Sequence, residues 1–113
     1  MRKIAAIDIG SNAVRMLICY ILINEDEYFF QKNQYIRLPL RLGEDSFKTG
    51  SISDDKINTL SNALLSFKYT MKVHGVEHYK IYATSALRDA KNSDDVIKQI
   101  YDLTGMKIKL IDG

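Results

Sequence analysis

Two apolar, β-branched runs open the chain, residues 3–9 (KIAAIDI) and 13–23 (AVRMLICYILI), with Gly10-Ser11-Asn12 between them. A short turn-forming loop between two such runs is a hairpin signal. Neither run alternates cleanly: Val14, Met16 and Ile18 fall on one side, while Leu17, Cys19 and Ile21 fall on the other. That pattern predicts strands in the middle of a sheet, covered on both faces. After the polar turn Asn24-Glu25-Asp26, residues 27–38 read as a third strand. Lys32, Gln34 and Arg37 give it the character of a sheet edge, and Pro39 ends it. Tyr28, Phe29 and Phe30 are expected to pack within that strand rather than to stack on bases.

The segment 42–53 (LGEDSFKTGSIS) has no period and holds two Gly with several Ser, Thr and Asp, so it reads as a surface loop. A helix follows, because Ile57, Leu60, Leu64, Phe67 and Met71 recur at spacings of three and four. Ser53 caps its start, Asp54 and Asp55 fill its first turn, and Gly75 stands just past its end. Residues 79–84 (YKIYAT) predict a short strand. Ser93-Asp94-Asp95 then begins a second helix with the apolar stripe Val96, Ile97, Ile100, Tyr101 and Leu103, stopped by Gly105. Residues 107–111 (KIKLI) close as a strand.

The order βββαβαβ is an antiparallel meander followed by two strand-helix crossovers, which require parallel strands. An α/β mixed sheet of the ribonuclease H-like type, shared by the actin, sugar kinase and heat-shock ATPase group, has this order. Its first hairpin carries a phosphate loop, although a fold alone fixes no function.

Composition adds mostly exclusions. With 46% apolar and 27% charged residues, the 113 residues read as a single domain, 1–113, with no repeat or dividing linker. A net charge of +2 without any basic arm gives no reason to expect DNA or RNA. The single Cys19 excludes an internal disulfide and suits a reducing, cytoplasmic compartment. The longest apolar stretch, 16–23, is far short of the roughly twenty residues of a membrane span, so no membrane partner is expected.

Two constellations carry chemistry. Asp8-Ile9-Gly10-Ser11-Asn12 places a Gly, a hydroxyl and an amide at a hairpin tip, as an anion-binding turn requires. Asp8 precedes them as a carboxylate able to hold a hydrated Mg²⁺. Ordinary turn composition accounts for the same five residues. In Ala83-Thr84-Ser85-Ala86-Leu87-Arg88-Asp89-Ala90, a strand ends and a helical turn begins, at the end of a parallel strand where open α/β sheets bind ligands. Thr84 and Ser85 offer hydroxyls and Arg88 a guanidinium fork. The plainer alternative makes Ser85 a helix cap and pairs Arg88 with Asp89 or Asp94.

Taken together, AAIDIGSNAVRMLI, LRLGED and ATSALRDAKN resemble the amino-terminal subdomain of the exopolyphosphatase and guanosine pentaphosphate phosphatase (Ppx/GppA) family over essentially the whole chain. Ala13 departs from the pattern, since the family often has a second Ser there. The resemblance implies a Mg²⁺-dependent hydrolase that releases terminal phosphate from inorganic polyphosphate, or the 5′-γ-phosphate from guanosine pentaphosphate. It implies Asp8 as the metal-side carboxylate, Gly10, Ser11 and Asn12 as the phosphate loop, and Arg15 and Arg88 as positive groups on the phosphate path. The family's catalytic base, a glutamate shortly after the last strand, is expected beyond Gly113, as is its second phosphate loop. The chain is therefore read as a half-site, inactive alone.

Two other classes stay open: a non-catalytic phosphate or nucleotide sensor, and a fragment of a small-molecule kinase of the same superfamily. Cys19 reads as a buried packing residue rather than a nucleophile. His74 and His78 read as a helix-end dipole partner and a loop residue rather than a metal pair. Only two substantial helices are available to cover the sheet, so a homodimer through a bare sheet face or an edge strand is expected.

Overall fold

The hairpin forms as its pattern predicts: β1 (Arg2–Ile9) and β2 (Val14–Asn24) pair antiparallel, from Arg2 opposite Ile21 to Ile9 opposite Val14. A computed structural model describes residues 2–112 of the chain. β3 (Glu27–Leu38) returns antiparallel along β2, with a bulge opposite the Ile18 to Cys19 step. α1 (Leu42–Thr49) and α2 (Asp54–His74) lead to β4 (His78–Ala83), which lies parallel to β1. A single turn, α3 (Ser85–Arg88), and then α4 (Ser93–Thr104) lead to β5 (Lys109–Leu110), parallel to β4. The sheet order β3-β2-β1-β4-β5 is the ribonuclease H-like arrangement that the element order implies.

The core lies on one face of the sheet. Ala5, Ile7 and Ile9 of β1, Val14, Met16 and Ile18 of β2, and Ile81 and Ala83 of β4 are buried there. They pack with Ile57, Leu60, Leu64, Phe67 and Met71 of α2 and with Val96 and Ile100 of α4. The three-and-four spacing put the α2 stripe on the inner side. The ends of α2 follow from capping: Ser53 accepts the Lys56 N–H at 3.3 Å, and Gly75, with φ of 72°, lets Val76 N–H reach Met71 O at 2.9 Å. In α4 the inward stripe is narrower than its sequence suggests, since Tyr101 and Leu103 are exposed.

Several expectations change. The central strands are covered on one face only, so Leu17, Cys19 and Ile21 are half-buried on an uncovered face and Cys19 is not a core residue. Apolar residues on both sides of a strand register its place in the sheet, not which layers cover it. Tyr28 and Phe30, at 67% and 71% exposure, do not pack within their strand, because the β2–β3 ribbon runs out beyond the helices. His78 is the first residue of β4 rather than part of a loop.

The segment from Leu42 is α1, not a loop. Its inner side is Leu42, Gly43 and Ser46, and the Ser46 hydroxyl donates to Ala86 O at 2.9 Å. A stripe of one leucine, one glycine and one serine gives no hydrophobic period, although the three residues share one helix face. The last strand is also shorter than its apolar pattern, two residues rather than five.

Candidate functional site

The two chemical constellations meet at one end of the sheet. β1 delivers the hairpin tip and β4, its parallel neighbour, delivers Thr84 and Ser85 beside it; Thr84 N–H donates to Ile9 O at 3.2 Å. Ser11 Oγ and Ser85 Oγ lie 3.1 Å apart. Ser85 is therefore not a helix cap: Thr84 holds that position, without a side-chain capping bond, and the Ser85 hydroxyl faces the hairpin.

Within the tip, Gly10 N–H closes the turn onto Ala13 O at 2.9 Å, whereas the N–H groups of Ser11 and Asn12 have no acceptor among the described residues. Backbone donors without partners beside two hydroxyls are what an anion-binding turn provides. Gly10 does not take a left-handed φ, so its contribution is clearance: a Cβ there would stand 3.3 Å from Ala13 O.

α1 buttresses this tip. Arg41 N–H donates to Asn12 O and Gly43 N–H to Ser11 O, both at 2.9 Å. Arg41 has φ 56° and ψ 50°, a left-handed conformation that costs a non-glycine residue roughly 1–2 kcal/mol. The surrounding contacts hold it there: Leu42 is fully buried and Lys56 Nζ donates to Leu40 O at 2.7 Å. Asn92, at the end of the second motif, grips Ile52 twice at 2.9 Å, accepting its N–H and donating to its carbonyl, while Lys91 N–H bonds Gly50 O. The side chain is thereby committed to the α1–α2 connection and leaves α4 without a side-chain cap.

The charged candidates divide. Asp8 and Arg15 stand opposite each other on the uncovered face, 3.5 Å apart and about half exposed. Arg88 is engaged elsewhere: Nε and Nη2 donate to the two Asp89 oxygens at 3.0 and 3.2 Å, and Nη1 donates to Ile111 O at 3.2 Å. The hydrogen bond with Asp89 raises Arg88 above its ordinary pKa, and the same bond lowers Asp89. Arg88 thus ties α3, in the second motif, to the segment after β5, with Asp112 3.8 Å away.

Among the described residues no three His, Cys, Asp or Glu gather as a metal-binding group. The exposed Asp8 carboxylate is an oxygen ligand of the kind Mg²⁺ takes, an ion that keeps several waters and needs few protein ligands beside substrate phosphate. The end of β3 and the start of α1 also bring Arg37 and Arg41 beside Asn12, with which they line one groove. These two were not singled out as site residues from the sequence; two arginines four apart around Pro39 were the available signal.

The model of the Ppx/GppA phosphatase family matches residues 23–113. This chain belongs to that family. A bifunctional 3-dehydroquinate synthase/phosphatase of Fusobacterium nucleatum is 34% identical over 112 residues, 96% of this chain and 17% of that protein. A putative exopolyphosphatase of Haemophilus influenzae is 26% identical over all of this chain and 34% of its own length, so its match includes the hairpin tip. Among solved structures, an Aquifex aeolicus member of the Ppx/GppA family superposes with a TM-score of 0.86 at 27% identity, covering 98% of this chain and 35% of that one. An exopolyphosphatase from Cytophaga hutchinsonii gives 0.87 at 25%, covering 99% and 35%. Thermus thermophilus RuvC, at 0.52 and 8% identity, shares the fold alone. The chain spans about a third or less of the length of these Ppx/GppA relatives.

Proposed function

We propose that this chain supplies the amino-terminal half of a phosphohydrolase site that releases terminal phosphate from inorganic polyphosphate or the 5′-γ-phosphate from guanosine pentaphosphate. The observation that carries the reading is the 3.1 Å approach of Ser11 and Ser85, which joins the two family motifs at one point beside unpartnered backbone donors. Polyphosphate is the substrate class named by several of the relatives, and it enters here from that likeness.

In this reading the Ser11 and Asn12 N–H groups and the two serine hydroxyls donate to the equatorial oxygens of the terminal phosphoryl group. Arg15 offsets charge at its flank. Asp8 would hold Mg²⁺, which when bound neutralises charge building on the phosphate oxygens. Water attacks in line, and the glutamate that orients it is proposed to lie beyond Gly113. Asp89 and Asp112 are poor substitutes, since Arg88 sits on both. A cytoplasmic setting suits this chemistry and the free Cys19.

The test is phosphate release with Mg²⁺ present, from each of the two substrates. Residues 1–113 alone should release no measurable phosphate, because general-base help is worth roughly 10²- to 10⁴-fold. A polypeptide that also carries the remaining length its relatives possess should be active, and Asp8→Asn should lower that rate by about 10²-fold or more. Full activity in Asp8→Asn would refute the assignment.

A further inference from the structure

A second cluster of positive charge lies against the hairpin tip. Arg37 stands directly opposite Arg15 across the β2–β3 ladder, and both point away from the helices, because Val14, Met16, Ile36 and Leu38 on either side turn toward the core. Like charges opposed across a ladder are destabilising. Asp8 compensates Arg15 at 3.5 Å, whereas Arg37 forms no ion pair among the described residues.

Arg37 lines an open groove of about 450 Å³ with Asn12, Pro39, Arg41 and Glu44. The left-handed backbone at Arg41, fastened to Asn12 O, brings the second guanidinium there. Glu44 is the carboxylate of the groove, and it is shared between Arg41 at 3.4 Å and Lys56 at 3.9 Å, which leaves the cluster positive. The Arg41–Glu44 pair is exposed and exchanges readily for a ligand. No aromatic ring lines the groove, whereas two guanidinium forks and an amide match phosphate oxygens. Asn12 belongs to both the tip and the groove.

We propose that Arg37, Arg41 and Asn12 form a second phosphate subsite, which takes an inner phosphate of a linear oligophosphate whose terminal phosphate occupies the hairpin tip. It rests on the reading of that tip given under the proposed function, and extends it from a single phosphate to a chain. An inorganic oligophosphate is favoured over a nucleotide because the groove offers phosphate-binding forks and no aromatic platform for a base.

Backbone-amide NMR titration of the 113-residue chain with sodium tripolyphosphate, and separately with orthophosphate, tests it. Tripolyphosphate should shift Asn12, Arg37 and Arg41 together with Ser11 and Ser85, and orthophosphate only the tip. Arg37→Gln should weaken tripolyphosphate about tenfold and leave orthophosphate within about twofold. Lys98→Gln, on exposed α4 surface, removes the same charge and should change neither. Arg41→Gly, which keeps the left-handed backbone, should behave like Arg37→Gln. Unchanged tripolyphosphate affinity in both arginine variants, with the tip still shifting, would overturn the subsite and leave the tip reading intact. Shifts at Arg37 and Arg41 with none at Ser11 and Ser85 would overturn the tip reading and with it the two-phosphate arrangement. Equal affinity for the two anions would also overturn the subsite, and no shift anywhere would overturn both.

Discussion

Ser11 and Ser85, 74 residues apart in sequence, share a hydrogen bond of 3.1 Å between their hydroxyls. It links the antiparallel hairpin to the turn after a parallel strand. A double-mutant cycle with Ser11→Ala and Ser85→Ala, read by urea unfolding, should give a coupling of about 0.5–1.5 kcal/mol. Strictly additive effects would show that the hydroxyls are neighbours without a bond.

Asn92 fixes the connection between α1 and α2 through its two bonds to the buried Ile52 backbone. Asn92→Ala leaves that N–H and carbonyl without their partners and should destabilise the chain by about 1–3 kcal/mol. Hydrogen exchange at Ile52 should accelerate with it. An unchanged exchange rate would mean that water replaces the side chain at no cost.

Acid should act on the Arg88–Asp89 pair. Asp89 is lowered from its ordinary 3.8 by the Arg88 hydrogen bond, so its contribution to stability is complete above that value and is lost as pH falls through the folded-state value. Arg88, raised above its ordinary value by the same bond, stays charged and keeps its contribution throughout the acid range. Asp89→Asn should therefore flatten the acid limb of a stability–pH curve below about pH 4 relative to the unmodified chain. Superimposable acid limbs would contradict the pairing.

The uncovered sheet face carries Leu17, Cys19 and Ile21 beside Ile4 and Tyr35. Apolar area is worth about 25 cal/mol per Å² when removed from water, so the isolated chain is proposed to self-associate through this face. Sedimentation at micromolar concentration should show a dimer, and Leu17→Glu with Ile21→Glu should return it to a monomer. A monomer in the unmodified chain at high concentration would refute this.

The sequence by itself determined the elements that are marked locally: the apolar, β-branched runs of β1 and β2 with a turn between them, the three-and-four spacing of α2, and the glycines that stop α2 and α4. These are local properties of the chain and need no partner to be legible. It also singled out Gly10, Ser11, Asn12, Thr84 and Ser85 as candidates, because turn and strand-end residues are marked by type. Tertiary structure decided the rest. α1 has no hydrophobic period, and exists because Leu42 and Ser46 find α3 and because Ser11 and Asn12 accept its first backbone donors. Residue types left Arg88 either as a phosphate-facing cation or as a partner of Asp89 or Asp94, and only the fold closes its fork on Asp89 and on a carbonyl 23 residues away. Arg37 became a site candidate only when strand register set it opposite Arg15. Each of these depends on which distant groups are brought within hydrogen-bonding or ion-pairing range, and a linear pattern does not encode that distance.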